Sequence, residues 1–453
     1  MTVRHVLAAL VLLAAGCAAP VAPRPAVSQR PAPAPAPAPA QAPPAGPVPW
    51  RITHRGGEHE IEGYADRVSV LPGERFRLLV STTAPRFTAS AFRMGARPAR
   101  VWRSAPVGGE RQPPPRTVAR TVTAAHWKPS LTVDTTGWAE GAYLVRLDAS
   151  TGGQRYVPIT VRSASAEGRV VLVNAVTTWQ AYNLWGGRSL YDGPGGFGDR
   201  SRAVTFDRPY DGSGARLFLD FELNAIRLAE RSGVPLAYLT SLDLRPGALR
   251  GARAVVSLGH DEYWSPAMRE VVTRARDEGV NLAFLGANAV YWRIGLSGRT
   301  VRCDKETRCP LWRQSRPESS LVGQMYDCFP AEAAYRVTRP GHWIFEGTRG
   351  RTFPGLVGVE TDKVSAGSPD VQVLAQSPVD CGGRATVSHS TYYVAPSGAG
   401  VFASGTMRWV CGMKGAACGH GVTRAASAFT RRATLNLLTR FAEGPAGRSR
   451  PPA

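Results

Sequence analysis

Residues 259–264 read GHDEYW, directly after the apolar run ARAVVSL. Three titratable side chains, His260, Asp261 and Glu262, therefore sit where a buried strand is expected to end. If the backbone is still extended there, His260 and Glu262 share one face and Asp261 takes the other, because side chains alternate along a strand. The structural alternative is that the acidic pair favours the positive end of a following helix, which explains Asp261 better than Glu262.

Two other stretches could do chemistry. TTWQAYNLWGGRSLYDGPGG (177–196) is dense in aromatics and glycine, but it matches neither GxGxxG nor GxxxxGK[ST] and puts Trp and Tyr where those phosphate loops need bare backbone. Trp179, Tyr182, Trp185 and Tyr191, read as exposed, could line a pocket, or the tyrosines could bind metal as phenolates. GANAVYW (286–292) resembles GHDEYW in following an apolar run. Neither carries the Ser or Cys of a nucleophile elbow. The HDE triplet lacks the HExxH spacing of a zinc protease. Acyl transfer through a covalent enzyme intermediate is thus disfavoured.

The elements that must hold these groups are legible as an open α/β sheet. RVVLVNAV (169–176), PLAYLT (235–240), AVVSLG (254–259) and NLAFLGAN (281–288) are near-continuous apolar runs, as in parallel strands covered on both faces. Helices fit between them: 217–233 closes on Gly233, and 265–279 opens with Ser265 as cap and Pro266 at the first helical position. Further strands are expected in STYYVAP and GAGVFASG, and ATLNLLTRFAEG (433–444) reads as a closing helix. Ligands of open α/β sheets bind beyond the carboxyl ends of the strands. Those ends deliver Thr177, Thr178 and Trp179; Thr240, Ser241 and Asp243; His260 and Glu262; and Gly286 and Asn288 to one rim.

Before this body, residues 50–165 show short alternating stretches broken by Gly and Pro, such as RFRLLVST (75–82), which read as a small immunoglobulin-like β-sandwich. MTVRHVLAALVLLAAGC has the layout of an export signal (1–17), too short to span a bilayer stably. Its end, Leu13 to Cys17, resembles a lipobox, so Cys17 is expected to be lipidated and to hold the protein at the outer face of the cytoplasmic membrane, with plain secretion as the alternative. A Pro-Ala tract (18–49) reads as a semi-rigid polyproline spacer, 168–445 as the catalytic α/β domain, and 446–453 as a flexible tail.

The remaining cysteines, Cys303, Cys309, Cys328, Cys381, Cys411 and Cys418, are even in number. In an exported chain that favours disulfides, with Cys303/Cys309 and Cys411/Cys418 as local staples. No CxxC pair supports a zinc site. The formal charge of +21 is almost wholly Arg, spread along the chain rather than in blocks. No nucleic-acid motif accompanies it, so no specific nucleic-acid partner is expected, and anionic cell-wall polymer or lipid explains the charge at least as well. A homo-oligomer stays open.

Together TTWQAYNLWGGRSLY, FDRPY (206–210), GHDEYWS and LAFLGANAVYWR resemble the catalytic large subunit of N,N-dimethylformamidase and its relatives. GAGVFASGTMRW (398–409) adds a weaker likeness. The resemblance implies a glutamine-amidotransferase-like fold and a single ferric ion (Fe3+) held by two tyrosines and one glutamate. Carried over, these are Tyr182, Tyr191 and Glu262, with His260 and Asn288 as the nearby catalytic pair. It also implies a further carboxylate late in the domain, which the motifs assign to no residue here. Two phenolates and a carboxylate are hard oxygen donors that suit Fe(III). The implied activity is hydrolysis of a small-molecule amide or related C–N bond, with His260 as base or proton shuttle and Asn288 as oxyanion donor. Two other readings remain: a non-catalytic surface lipoprotein binding glycan through the aromatic loop and the sandwich, and a different enzyme on the same scaffold, acting for instance on sugars.

Overall fold

The computed structural model describes residues 49–307 and 309–449. The export signal, Cys17 and nearly all of the Pro-Ala spacer lie outside the described residues. The described residues form one compact unit.

Its N-terminal part is two facing sheets. One orders the strands Ile61–Ala65, Arg75–Thr82 and Leu131–Asp134; the other is built around Arg86–Arg93, Gly141–Ala149 and Gln154–Val161. Alternation decides which side chains meet between them: Phe76, Leu78 and Val80 are buried among Phe87, Ala89, Val145 and Ile159, while Arg75 and Arg77 face water. Leu79, pointing the other way, is also buried, against Trp127 and Trp185. The outer face of the smaller sheet is therefore covered by the aromatic loop of the next region.

That region is mixed α/β. Numbering its elements afresh, a seven-stranded sheet comprises β1 (Val170–Asn174), β2 (Leu236–Thr240), β3 (Ala254–Ser257), β4 (Asn281–Phe284), β7 (Gln372–Cys381), β8 (Arg384–Val394) and β9 (Gly400–Ala403), in the order β2-β1-β3-β4-β9-β8-β7. The first five run parallel; β8 and β7 are antiparallel. Every residue of β1, β3 and β4 is buried, as both-face coverage of apolar runs requires. A long antiparallel pair, β5 (Met325–Arg336) and β6 (Thr352–Lys363), packs beside the sheet. The helices are α1 (Val176–Tyr182), α2 (Leu223–Ser232), α3 (Pro266–Asp277) and α4 (Arg424–Glu443).

Local signals act as expected at α2, which stops at Gly233 with φ +78°, and at α3, where the Ser265 hydroxyl accepts from the Met268 N–H at 3.3 Å. Three differences stand out. Residues 218–222 form a π-turn ahead of α2, a wide turn that swings Glu222 under β1. The closing helix begins at Arg424, earlier than its apolar pattern shows, because Ala426 and Ser427 fill buried positions that carry no hydrophobic signal. The residues expected to open a flexible tail instead form the short helix Ala446–Ser449, with Ala446 buried and its N–H donating to Asn281 at 2.9 Å.

Three disulfides join Cys303–Cys309, Cys328–Cys381 and Cys411–Cys418. Both short staples read from the spacing are present, and the third links β5 to β7. Such pairing suits a chain that folds outside the reducing cytoplasm. Among the described residues no helix is long and apolar enough to cross a membrane.

Candidate active site

Beyond β3 and β4 two loops cross so closely that only glycine fits. A Cβ on Gly259 would lie 2.3 Å from the Phe221 carbonyl oxygen, and one on Gly286 would lie 2.0 Å from that of Gly259. The loops are then stitched by backbone: Val290 N–H to Asp261 O at 3.0 Å, Tyr291 N–H to Glu262 O at 2.9 Å. Asn288 and Val290 are held at φ +57° and +59°, conformations that cost non-glycine residues energy and concentrate at functional sites. From α1, the Thr178 hydroxyl accepts the Glu262 N–H at 3.0 Å, and the Thr177 hydroxyl donates to Tyr263 O at 2.9 Å.

The two tyrosines arrive from the aromatic loop. Tyr182 ends α1. Tyr191 follows a turn in which the Ser189 hydroxyl accepts from the N–H groups of Tyr191 and Asp192, each at 3.0 Å. Arg208, from the FDRPY motif, is fully buried beneath this loop. It donates to the carbonyls of Asn183 at 2.8 Å and Arg188 at 2.9 Å and to Gln180 Oε1 at 3.1 Å. A rigid guanidinium fork thus clamps both ends of the segment that presents the phenols.

Those phenols meet Glu262. Tyr182 Oη donates to Glu262 Oε2 at 2.8 Å and Tyr191 Oη to Oε1 at 2.6 Å; the two hydroxyls are 3.1 Å apart and the rings stack at 4.4 Å. His260 Nε2 stands 3.5 Å from Glu262 Oε2. His260 and Glu262 therefore do share a face. Asp261 points away and accepts from Ser257 Oγ at 3.1 Å beneath the loop, and burial pushes its carboxyl up to about 6. Asn288 donates its backbone N–H to Asp362 at 2.8 Å and lies beside Glu360.

The electrostatics are lopsided. Glu262, Glu360 and Asp362 are all buried. Desolvation, then the Glu262 charge, holds Glu360 well above the carboxylate range; desolvation pushes Asp362 up to about 7. The same two causes raise both phenols, Tyr182 and Tyr191, well above their ordinary value. Burial lowers His260, keeping the imidazole neutral. Lys305 supplies a nearby positive group. Its Nζ lies 3.1 Å above the Tyr191 ring, and burial pushes its pKa down to about 7. Around the knot, His260 Nδ1, Asn288 Oδ1 and Glu360 Oε2 are buried without a hydrogen-bond partner. Such buried polar atoms at the knot are available to an ion or ligand.

A direct comparison with known families adds to this geometry. Residues 88–423 match the family model described as N,N-dimethylformamidase beta subunit-like, C-terminal. The chain belongs to this family. The match begins inside the N-terminal sheets, so the family unit takes in most of that region as well as the α/β body. No curated protein matches the chain. Among solved structures, a cycloisomaltooligosaccharide glucanotransferase from Paenibacillus sp. with cycloisomaltoheptaose bound aligns with 27% of this chain and 17% of its own length. The identity is 15% and the TM-score 0.16, too slight a likeness to carry an argument.

Within this dimethylformamidase-like family frame, three site residues escape sequence reasoning. Glu360 and Asp362 alternate along β6, so both reach the same side; their signal is a period-two acidic pair directly after the apolar run LVGV. Lys305 sits in the loop closed by Cys303–Cys309, and no pattern announces it. One expectation is corrected. Trp179 and Trp185 are buried, not exposed, at 6% each. Trp179 Nε1 donates to Glu222 at 2.7 Å and Trp185 Nε1 to Glu62 of the N-terminal sheets at 2.8 Å. Each indole found a carboxylate and an apolar wall, so the aromatic loop offers no exposed stacking platform for glycan.

Proposed function

We propose that the protein is an exported amide hydrolase on a glutamine-amidotransferase-like scaffold, working at one ferric ion held by Tyr182, Tyr191 and Glu262. The observation that carries this is the knot itself: two phenol oxygens and both oxygens of one carboxylate converge within 3.1 Å. The donor set fits the ion. All its atoms are hard oxygens, and among the described residues no three His, Cys, Asp or Glu side chains form a competing cage. A buried acid facing two raised phenols and a second carboxylate is an arrangement that a trivalent cation would relieve.

When bound, the ion would polarise an amide carbonyl and acidify water. The chain's residues would do the rest. His260, neutral and with Nδ1 unpartnered, accepts a proton at the imidazole and returns it to the leaving amine. The Asn288 side chain, held in its strained turn, donates to the carbonyl oxygen as negative charge develops. Glu360, whose pKa burial and the Glu262 charge raise in the metal-free chain, stands beside Asn288 as a second carboxyl at the site. Lys305 adds positive charge at the Tyr191 ring. No Ser or Cys nucleophile is required.

The test is hydrolysis. The purified chain, reconstituted with iron, should release amine from N,N-dimethylformamide or another small N-substituted amide, and His260→Ala should slow that release roughly 100-fold. Amine release unchanged by His260→Ala, or none from any small amide by iron-loaded protein, would remove the proposal. We also retain lipidation at Cys17; Cys17→Ser should free the protein from the membrane fraction, and unchanged fractionation would end that part.

A further inference from the structure

Away from the tyrosine–glutamate knot, α2 carries Asn224, Arg227, Leu228 and Arg231 at helical spacings of three and four, so they form one stripe. Helix α4 packs beside α2 and brings Arg431; Met413 lies between them. Together they line a cleft of about 300 Å³.

Three guanidinium groups thus meet without a counter-charge. Among the described residues none of the three forms an ion pair, although Glu230, on the same helix, is engaged by Arg93 and Tyr238, and Lys414, next to Met413, pairs with Asp220 at 3.7 Å. Arg431 is anchored by its Nε donating to the Met413 carbonyl at 2.8 Å. Arg227 Nε is buried with no hydrogen-bond partner. Partial desolvation, then the neighbouring Arg227 and Arg431, press the pKa of the exposed Arg231 below its ordinary value. Like charges at i, i+4 destabilise a helix, and an unpartnered buried donor is costly. Both penalties disappear if an anion enters. Planar guanidinium forks from two helices match the tetrahedral oxygens of a phosphate, which can accept from several at once.

We propose that this cleft binds a phosphate group, with Arg227 and Arg231 donating from α2 and Arg431 from α4. The site is independent of amide hydrolysis and uses none of its residues. The cleft has more room than one phosphate needs, so the carrier of the phosphate, a soluble ester or a lipid headgroup, enters with it.

Because a net charge of +21 attracts any polyanion, the experiment must separate the site from the charge. The full chain is titrated calorimetrically with inorganic phosphate at an ionic strength fixed by chloride. One saturable site per chain is expected. The double variant Arg227→Gln/Arg231→Gln should bind about tenfold more weakly or worse, as for loss of charge-assisted hydrogen bonds. Arg245→Gln/Arg250→Gln, which removes the same charge from exposed positions elsewhere, should bind like the parent, and melting curves report that both variants fold. Glycerol 3-phosphate and a soluble short-chain phosphatidate then name the carrier: tighter phosphatidate binding assigns a lipid headgroup, equal or weaker binding a soluble ester. Heats no different from chloride, or equal weakening in both double variants, would overturn the proposal.

Discussion

Glu222 and Glu262 are both buried, at 1% and 2% exposure, beside neighbouring strands of one sheet. Their surroundings differ in kind. Glu222 accepts from Asn174 Nδ2 at 2.6 Å, Trp179 Nε1 at 2.7 Å and the Ala175 N–H at 3.0 Å, so each oxygen is met by a fixed nitrogen donor. Glu262 is met by two phenols that are themselves acids, with a second carboxylate nearby and unpartnered polar atoms around it. Burial alone therefore does not mark a site. A buried acid with complete N–H bonding holds structure together, whereas one surrounded by other acids is arranged for something that arrives later.

The sharpest way to break this contrast is to remove each glutamate. Glu262→Ala should take iron from about one per chain to none, with a smaller loss of stability in the metal-free protein than Glu222→Ala, because the two phenols lose their acceptor but the buried charge that burdens them and Glu360 goes too; metal analysis and thermal melting read the two effects. Next, His260→Ala should leave iron content intact while turnover falls roughly 100-fold, the size expected for a lost acid–base group. Equal loss of metal and turnover would make His260 a ligand. Glu222→Ala should instead cost about 3 kcal/mol in urea unfolding, since three buried donors lose their acceptor, and should leave iron binding unchanged.

The smallest effect is a pH slope. Burial pushes Glu222 up to about 8 in the folded chain, against an ordinary value of 4.5. A carboxyl raised by folding contributes its full stability below the unfolded value and loses it as pH rises through the folded value. Metal-free protein should therefore lose stability between about pH 4.5 and 8. Glu222→Gln, which cannot ionise, should flatten that slope; an unchanged slope would assign it to Asp362 or Asp261.

Much of the scaffold was legible because its signals are local. Runs such as VVLVN and AVVS announce parallel strands by composition, Ser265 and Pro266 announce α3, and period-two geometry put His260 and Glu262 together. The knot drew on family motifs as well, since nothing in residues 182 and 191 alone says their rings will stack. What stayed hidden depends on tertiary closure. Lys305 reaches Tyr191 only through a disulfide-closed loop. Glu360 and Asp362 reach Asn288 only because β5 and β6 fold back against the sheet. The tail at Ala446 is held by Asn281, 165 residues earlier, by Gly398 and by the core it packs into. The two tryptophans looked like a binding surface because a sequence does not show which wall an indole will find.

The central claim is that Tyr182 and Tyr191 are ligands rather than an unusual pair of hydrogen-bond donors. The visible absorption spectrum of purified protein, read beside its iron content, tests this most directly. Tyrosinate donation into ferric iron predicts a coloured protein with a phenolate-to-metal charge-transfer band, about one iron per chain, and a band weakened and shifted in Tyr191→Phe. Protein that stays colourless and iron-free after exposure to ferric and ferrous salts would contradict the account.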